Sequence, residues 1–314
     1  MHPPWLSGHD LERPEVVARA VDALESTLRA LSTGALDAPQ RTLLITGSTL
    51  PSRQMLVGSV AWPERDIATV KVTTLTPANL DAGLDLIQGL VIVMDLLTGR
   101  PRALIEGGAL TGLRTGALAA LAARHLSPAP EPVLALVGAG VQARWALRAL
   151  LGELQVRGLR LASRGAARRD ALARWVAPYL GPGQSLEVCD RIEQAVEGAD
   201  IVCTATSIDG PGPVIEAAWI QGNPLCIALG GANETACEFD PRLVVRFQTI
   251  VDDLGAALAE AGELRTANLP ANSIAVLADV ISGRVRVDTA RPRLFRAVGM
   301  AAQDLAGALA AMDL

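Results

Sequence analysis

Apolar residues return with a helical period between positions 11 and 36, at Val16, Val17, Ala20, Val21, Leu24, Leu28 and Leu31. Gly34 supplies the stop. Short apolar or alternating runs follow at 42–45, 54–60, 67–72, 89–95 and 102–105, and they predict a β-rich block. An Ala/Leu helix is predicted over 113–126, running out into the proline-punctuated SPAPEP at 127–132. The pattern then changes. A buried strand ends in a glycine turn (PVLALVGAG), and helices at 142–151, 166–176 and 192–197 alternate with strands at LRLAS, 185–189, DIVCTAT, PLCIALGG and TIVDD. Strands and helices alternating at this spacing argue for βαβ units and a parallel sheet. A last helix, expected over 295–312, leaves this second block and packs back on the first.

Composition narrows the classes. The chain has 314 residues and is half apolar, enough for a sizeable core in one large or two smaller domains. A net charge of −5 without a basic, aromatic-laced stripe speaks against nucleic acid. Cys189, Cys203, Cys226 and Cys237 show no C-x-x-C spacing, so buried free thiols in a reducing compartment are expected. The three histidines are too few and scattered for a metal site. Early acidic residues without an apolar h-region predict no secretory leader, and no window of 18 apolar residues predicts a membrane span. The expectation is a soluble cytoplasmic protein.

The glycine turn reads Gly138-x-Gly140-x-x-Ala143, after a strand and before a helix. Gly138 suits a tight turn, Gly140 lets backbone approach a pyrophosphate, and Ala143 lets the helix pack close to the strand. The helix N-terminus then offers free N–H groups to phosphate. The spacing also occurs as a plain structural turn, but the surrounding βαβ units favour a Rossmann dinucleotide site. An NAD site wants an acid at the end of the second strand, for the ribose 2′-OH. Here Ser163 stands there, with Arg164, Arg168 and Arg169 alongside, so NADP(H) is expected over NAD(H). The alternative is that these arginines only decorate a helix start.

One position breaks the basic pattern. Of 28 Lys and Arg residues, only Lys71 is a lysine, and it sits among Ile67, Val70 and Val72. Arginine is a broad fork that stays charged, whereas lysine is a compact charge that can lose its proton when desolvated. The other reading is that one lysine survived by chance. Arg41 lies at a strand entrance and Arg114 in LTGLRTGA, between Thr111 and Thr115. Converging with Lys71, they would clamp a carboxylate; each alone would be an ordinary surface residue.

The segments VKVTTLTPAN, LTGRPRALIEGGALTGLRTGALAALAARHL, VGAGVQA, EGADIVCTATS and LFRAVGMAAQDLA, in this order, resemble the ornithine cyclodeaminase/mu-crystallin family along nearly the whole chain. The resemblance implies an α/β fold in which a Rossmann domain (127–293) is inserted into an α+β substrate-binding and dimerisation domain (1–126 plus 294–314), and a homodimer. It implies small amino- or imino-acid substrates and a nicotinamide cofactor. Arg41, Lys71 and Arg114 match the carboxylate clamp, and Lys71 is also the candidate proton donor. Thr115, Val141, Gln142, Thr206, Gly230 and Gly231 match cofactor contacts, and Met55 and Asn233 are expected near the substrate. Two departures matter. Ala232 or Asn233 stands where cyclodeaminases carry an acid, with Glu234 next door. Leu86 and Ala297 replace a threonine and a serine of other members. A cyclodeaminase needs that acid to work at the amine. A reductase needs hydride geometry, a clamp and one proton. Losing the acid while favouring NADP(H) therefore points to reduction of cyclic imino acids, such as Δ1-pyrroline-2-carboxylate to proline. The alternatives are a cyclodeaminase, an alanine-dehydrogenase-like enzyme, or a ligand carrier without turnover.

Overall fold

The computed structural model describes residues 2–46, 53–127, 129–207, 212–231 and 237–314. Its architecture is the expected α/β class, with two compact units, Met1–Arg114 plus Met300–Leu314 and Thr115–Gly299. The junctions fall at 114/115 and 299/300, against 126/127 and 293/294 from the sequence.

The first unit is built on a mixed sheet of β1 (Trp5–Leu6), β2 (Thr42–Thr46), β3 (Arg53–Trp62), β4 (Ile67–Leu75), β5 (Ile87–Asp95) and β6 (Pro101–Glu106), in the order β1-β6-β5-β4-β3-β2. The β2 to β6 ladder is antiparallel, and β1 joins β6 in parallel. Alternation along the strands sends Val60, Trp62, Ile67, Thr69, Val91, Val93, Ala103 and Ile105 to one buried face. The helix Pro14–Ser32 starts with Pro at its first position and buries Val16, Val17, Ala20, Val21, Leu24 and Leu28. Burial of each large aliphatic contributes on the order of 1.5–3 kcal/mol. Gly34, at φ 76°, ends it: the N–H groups of Gly34 and Ala35 donate to the carbonyls of Leu31 and Ala30, closing a Schellman turn. The C-terminal helix Ala301–Met312 packs on Pro14–Ser32 and on β3 and β4.

Two local readings are corrected. The helix expected from 113 begins at Gly107. The glycine pair at its start lets the helix begin against β5: a Cβ on Gly107 would lie 2.6 Å from the Gly89 carbonyl carbon, and one on Gly108 2.7 Å from the Ile87 oxygen. The helix expected from 295 begins at Ala301, because residues 293–296 form a strand. That strand, RLFR, is buried at every position, so it has no alternation to betray it.

The second unit carries an eight-stranded, wholly parallel sheet. Its strands are β7 (Val133–Val137), β8 (Gly158–Ala162), β9 (Ser185–Cys189), β10 (Ile201–Thr204), β12 (Leu225–Ala228), β14 (Gln248–Val251), β15 (Ala275–Val276) and β16 (Arg293–Arg296). A small parallel pair, β11 (Pro213–Ile215) and β13 (Cys237–Phe239), stands apart from it in pairing. The order is β15-β14-β16-β12-β10-β7-β8-β9. Its central part reverses direction of winding between β7 and β10, which is the switch point of a doubly wound dinucleotide fold. The strand at 185–189 and the helix at 166–176 lie where the sequence predicts them.

Candidate functional site

Lys71 lies on the buried face of the first unit's sheet, in register with Gly58 on β3 and Val91 on β5. Arg41 precedes β2 and comes beside Gly58: a Cβ on Gly58 would lie 3.8 Å from the Arg41 Cβ and 3.6 Å from that of Ala301. The glycine thus leaves a gap between the two cations under the start of the C-terminal helix. From that helix's first turn Asp304 reaches down, and Lys71 Nζ donates to its Oδ1 at 2.7 Å. Arg114 Nε stands 3.5 Å from the same oxygen, and its Nη1 donates to Gln303 Oε1 at 2.9 Å. Gly307 makes this reach possible, since a Cβ there would lie 3.0 Å from Leu110 Cδ1 and 3.5 Å from the Arg114 Cβ. Burial lowers the Lys71 ammonium below the ordinary lysine value; the Asp304 carboxylate opposes that shift, and the Arg114 and Arg41 guanidiniums add to it. The structure therefore brings Lys71 and Arg114 to the Asp304 carboxylate, with Arg41 close enough for its charge to act on the lysine.

Two sequence expectations fare differently. Met55 pairs with Thr74, three positions along β3 from Gly58, so strand alternation puts it on the sheet face opposite Lys71. It is not brought to the cluster. Asn233, with Ala232 and Glu234, lies outside the described residues. Gln303 and Asp304 were missed, although both are buried. Their signal was available: in AAQDLAGALAAM they and the terminal methionine are the only residues besides Ala, Leu and Gly. A polar pair in a helix otherwise apolar enough to be buried needs partners.

The second unit assembles the glycine loop. Gly138 has φ 123°, and a Cβ there would meet the Ala205 carbonyl oxygen at 2.3 Å, so only glycine fits. Gly140 caps the helix Val141–Glu153 and has open space where a Cβ would stand. Val141 is exposed, and Gln142 Oε1 is buried without a hydrogen-bond partner among the described residues. A backbone kept bare and a helix N-terminus with free N–H groups fit a pyrophosphate-bearing cofactor. Thr206 and Gly230 follow β10 and β12, and both bind the buried carboxylate of Glu238. Arg296 donates to the carbonyls of Gly230 and Gly231. Neither Glu238 nor Arg296 was expected. Thr115 is buried in its helix.

At the end of β8, Arg164 and Arg168 are exposed beside Ser163, and Arg164 Nη2 donates to the Ser207 carbonyl at 3.1 Å. Arg169 turns away. It donates to the Cys189 carbonyl at 3.0 Å and pairs with Asp190 at 2.9 Å and Asp170 at 3.1 Å, tying the helix to β9. It is a structural residue, and the exposed basic group reduces to Arg164 and Arg168.

Known proteins show the same plan. A Δ1-pyrroline-2-carboxylate reductase of Burkholderia multivorans is 37% identical over 254 residues, which is 79% of this chain and 77% of that protein. A Δ1-pyrroline-2-carboxylate/Δ1-piperideine-2-carboxylate reductase of Azospirillum brasilense is also 37% identical, with the same shares covered. Among solved structures, the Thermococcus litoralis Δ1-pyrroline-2-carboxylate reductase in complex with NADH and L-proline superposes with a TM-score of 0.90 at 25% identity, over 99% of this chain and 96% of that one. The profile of the ornithine cyclodeaminase/mu-crystallin family matches residues 4–313, and with the buried lysine–arginine cluster and the glycine loop in place, the chain belongs to that family.

Proposed function

We propose that the protein is an NADPH-dependent reductase of small cyclic imino acids, with Δ1-pyrroline-2-carboxylate as the type substrate and an L-amino acid such as proline as product. The observation that carries this reading is the convergence of Lys71, Arg114 and Arg41 on one buried patch beside Asp304. A planar carboxylate suits two guanidinium forks and an ammonium, and the hydrogen bonds would be charge-assisted. The three cations orient the acid so that its C=N carbon is held still, and fixed geometry supplies much of the rate. When bound, the reduced nicotinamide supplies a hydride to that carbon. Lys71 holds a proton for the imine nitrogen, and Asp304 keeps the lysine charged while it waits. Overall one imine, one hydride and one proton give the amine.

The finer assignment of the cofactor rests on the missing acid at Ser163 and on exposed Arg164 and Arg168, which suit a 2′-phosphate. We also infer a homodimer. Leu43, Leu44 and Ile45 are 46%, 49% and 60% exposed on the edge strand β2, an apolar edge that a second copy would cover. No helix among the described residues is long and apolar enough to cross a membrane, and dependence on reduced dinucleotide suits a cytoplasmic enzyme.

The test is direct. Protein, NADPH or NADH, and five- and six-membered cyclic imino acids are mixed, and absorbance is followed at the nicotinamide band. Oxidation of NADPH faster than NADH, with formation of the cyclic amino acid, is expected. No oxidation above background, or release of ammonia from ornithine without net cofactor turnover, would overturn the reading in favour of a carrier or a cyclodeaminase respectively.

A further inference from the structure

Glu238 is fully buried, on β13, and its carboxylate joins two loops. Oε1 accepts from Thr206 N at 3.0 Å and from Thr206 Oγ1 at 2.8 Å, while Oε2 accepts from Gly230 N at 2.8 Å. Arg296, also fully buried, grips the same turn from its carbonyl side: Nη1 donates to Gly230 O at 2.5 Å and Nη2 to Gly231 O at 2.7 Å. Its Nε stands 3.0 Å from Oε1 of Glu263, a second fully buried acid, and its Nη1 is 3.9 Å from Glu238 Oε2. The fit has no slack, because a Cβ on Gly230 would lie 2.1 Å from the Thr206 carbonyl oxygen and 2.8 Å from Glu238 Oε1.

Taking the Glu238 carboxylate and a guanidinium out of water is costly, so a turn that needed only closing would be closed more cheaply by neutral groups. What this arrangement adds is definition: one carboxylate sets the spacing of two backbone segments, and the guanidinium sets the direction of the turn's carbonyls. The place of these segments in the fold says what they are spaced for. Thr206 and Gly230 follow the carboxyl ends of β10 and β12, neighbours in the sheet. Both strands lie on the far side of the β7/β10 switch point from β8 and β9. In a doubly wound sheet the adenosine half of a dinucleotide is read at the end of the second strand, here β8, so the other half falls over β10 and β12.

We propose that Glu238 is a positioning residue for the nicotinamide half of the cofactor: its carboxylate, backed by Arg296 and Glu263, holds the Thr206 and Gly230 backbones at the spacing that half requires, without touching the cofactor. The proposal rests on the dinucleotide reading above, and it concerns one half of the ligand only.

That division gives the test. Wild type and Glu238→Gln are titrated by calorimetry with NADPH and, separately, with adenosine 2′,5′-bisphosphate, which carries only the adenosine half, and thermal unfolding is recorded for both. Glutamine keeps one acceptor but turns an N–H toward the Gly230 N–H. NADPH affinity is expected to fall about tenfold or more, while affinity for the bisphosphate stays within about twofold. Equal affinity of the variant and wild type for NADPH would overturn the proposal. So would equal losses for both ligands, which would mark Glu238 as a general support of the fold. Should E238Q fail to fold, Glu238→Asp, which keeps the charge on a shorter stem, is read by the same two ratios. If wild type binds neither ligand, the dinucleotide reading falls and this inference with it, a result distinct from a selective or non-selective effect of the variant.

Discussion

Two buried charge clusters, one in each unit, use opposite designs. In the first, Lys71 and Arg114 meet one carboxylate, Asp304, with Arg41 close enough to act on the lysine, and the bonds run from side chain to side chain. In the second, Glu238 and Glu263 flank one guanidinium, Arg296, and the bonds run mainly to the backbone of Thr206, Gly230 and Gly231. Backbone partners cannot be exchanged without unmaking a turn, so the second cluster is scaffold. Side-chain partners can be exchanged by a rotamer change, so cations held by a side-chain carboxylate can turn to an arriving one. The kind of partner, rather than burial itself, separates a cluster suited to binding from a supporting one.

The largest expected effect tests the first cluster at its centre. Lys71→Arg keeps the charge but replaces a compact ammonium with a broad fork of far higher pKa. If Lys71 holds the proton for the imine, kcat falls by about a hundredfold or more, in the range of a lost general acid, while the unfolding temperature changes little. Steady-state kinetics with the cyclic imine and a thermal melt read both numbers. A variant that melts early but turns over normally would erase the comparison, because the first cluster would then be scaffold as well.

How far such a contrast could be read beforehand differs between the clusters. Lys71 was legible because it is the only lysine, and Arg41 and Arg114 because a motif carried them. The glycine loop was legible because Gly138 answers a local steric demand, while Gly140 and Ala143 complete a spacing set between a strand and a helix. Asp304 and Gln303 stand out as polar residues in an apolar helix, but their pairing does not, since they lie 233 and 189 residues from their partners Lys71 and Arg114. Glu238, Glu263 and Arg296 were hidden differently. No motif singles out CEFD or GELR, and the end of RLFR falls in the expected last helix; folding buries the charge in all three. Local pattern reports what the backbone needs locally; charge pairing between distant segments has no local signature. Met55 failed for the complementary reason: its neighbourhood in sequence is right, but a period of two sends it through the sheet to the other side.

A smaller effect separates the roles within the first cluster. Asp304 raises the Lys71 pKa against the larger downward push of burial. Asp304→Asn removes that support, so the lysine loses its proton at a lower pH. If protonated Lys71 is needed, the alkaline limb of the pH profile of kcat moves toward neutrality. The acid limb stays, and KM is expected to change less than kcat if Arg41 and Arg114, which keep their charge, hold the substrate carboxylate. An unmoved alkaline limb in D304N would show that Lys71 titration does not govern turnover, and would leave Asp304 as a packing partner.

The smallest effect belongs to the second cluster and is read in stability. Burial raises the Glu263 carboxyl above the ordinary carboxylate range, more than the Arg296 guanidinium lowers it, and the Glu238 carboxylate adds to the rise. The native state therefore holds this proton at a pH where the unfolded chain has already released it. By linkage, Glu263 contributes stability that is fully present below its unfolded pKa and is lost as pH rises through the folded value. Glu263→Gln cannot titrate, so it should remove that slope. The unfolding temperature of wild type should fall relative to E263Q as pH is raised above the ordinary carboxylate range, while NADPH affinity changes less than in E238Q, because among the described residues Glu263 reaches the turn through Arg296. Melts of the two proteins across that range decide it. Parallel curves would mean that Arg296 keeps Glu263 ionised in both states, and the second cluster would then be held by a full ion pair at each end of its guanidinium, a stiffer scaffold than a protonated acid allows.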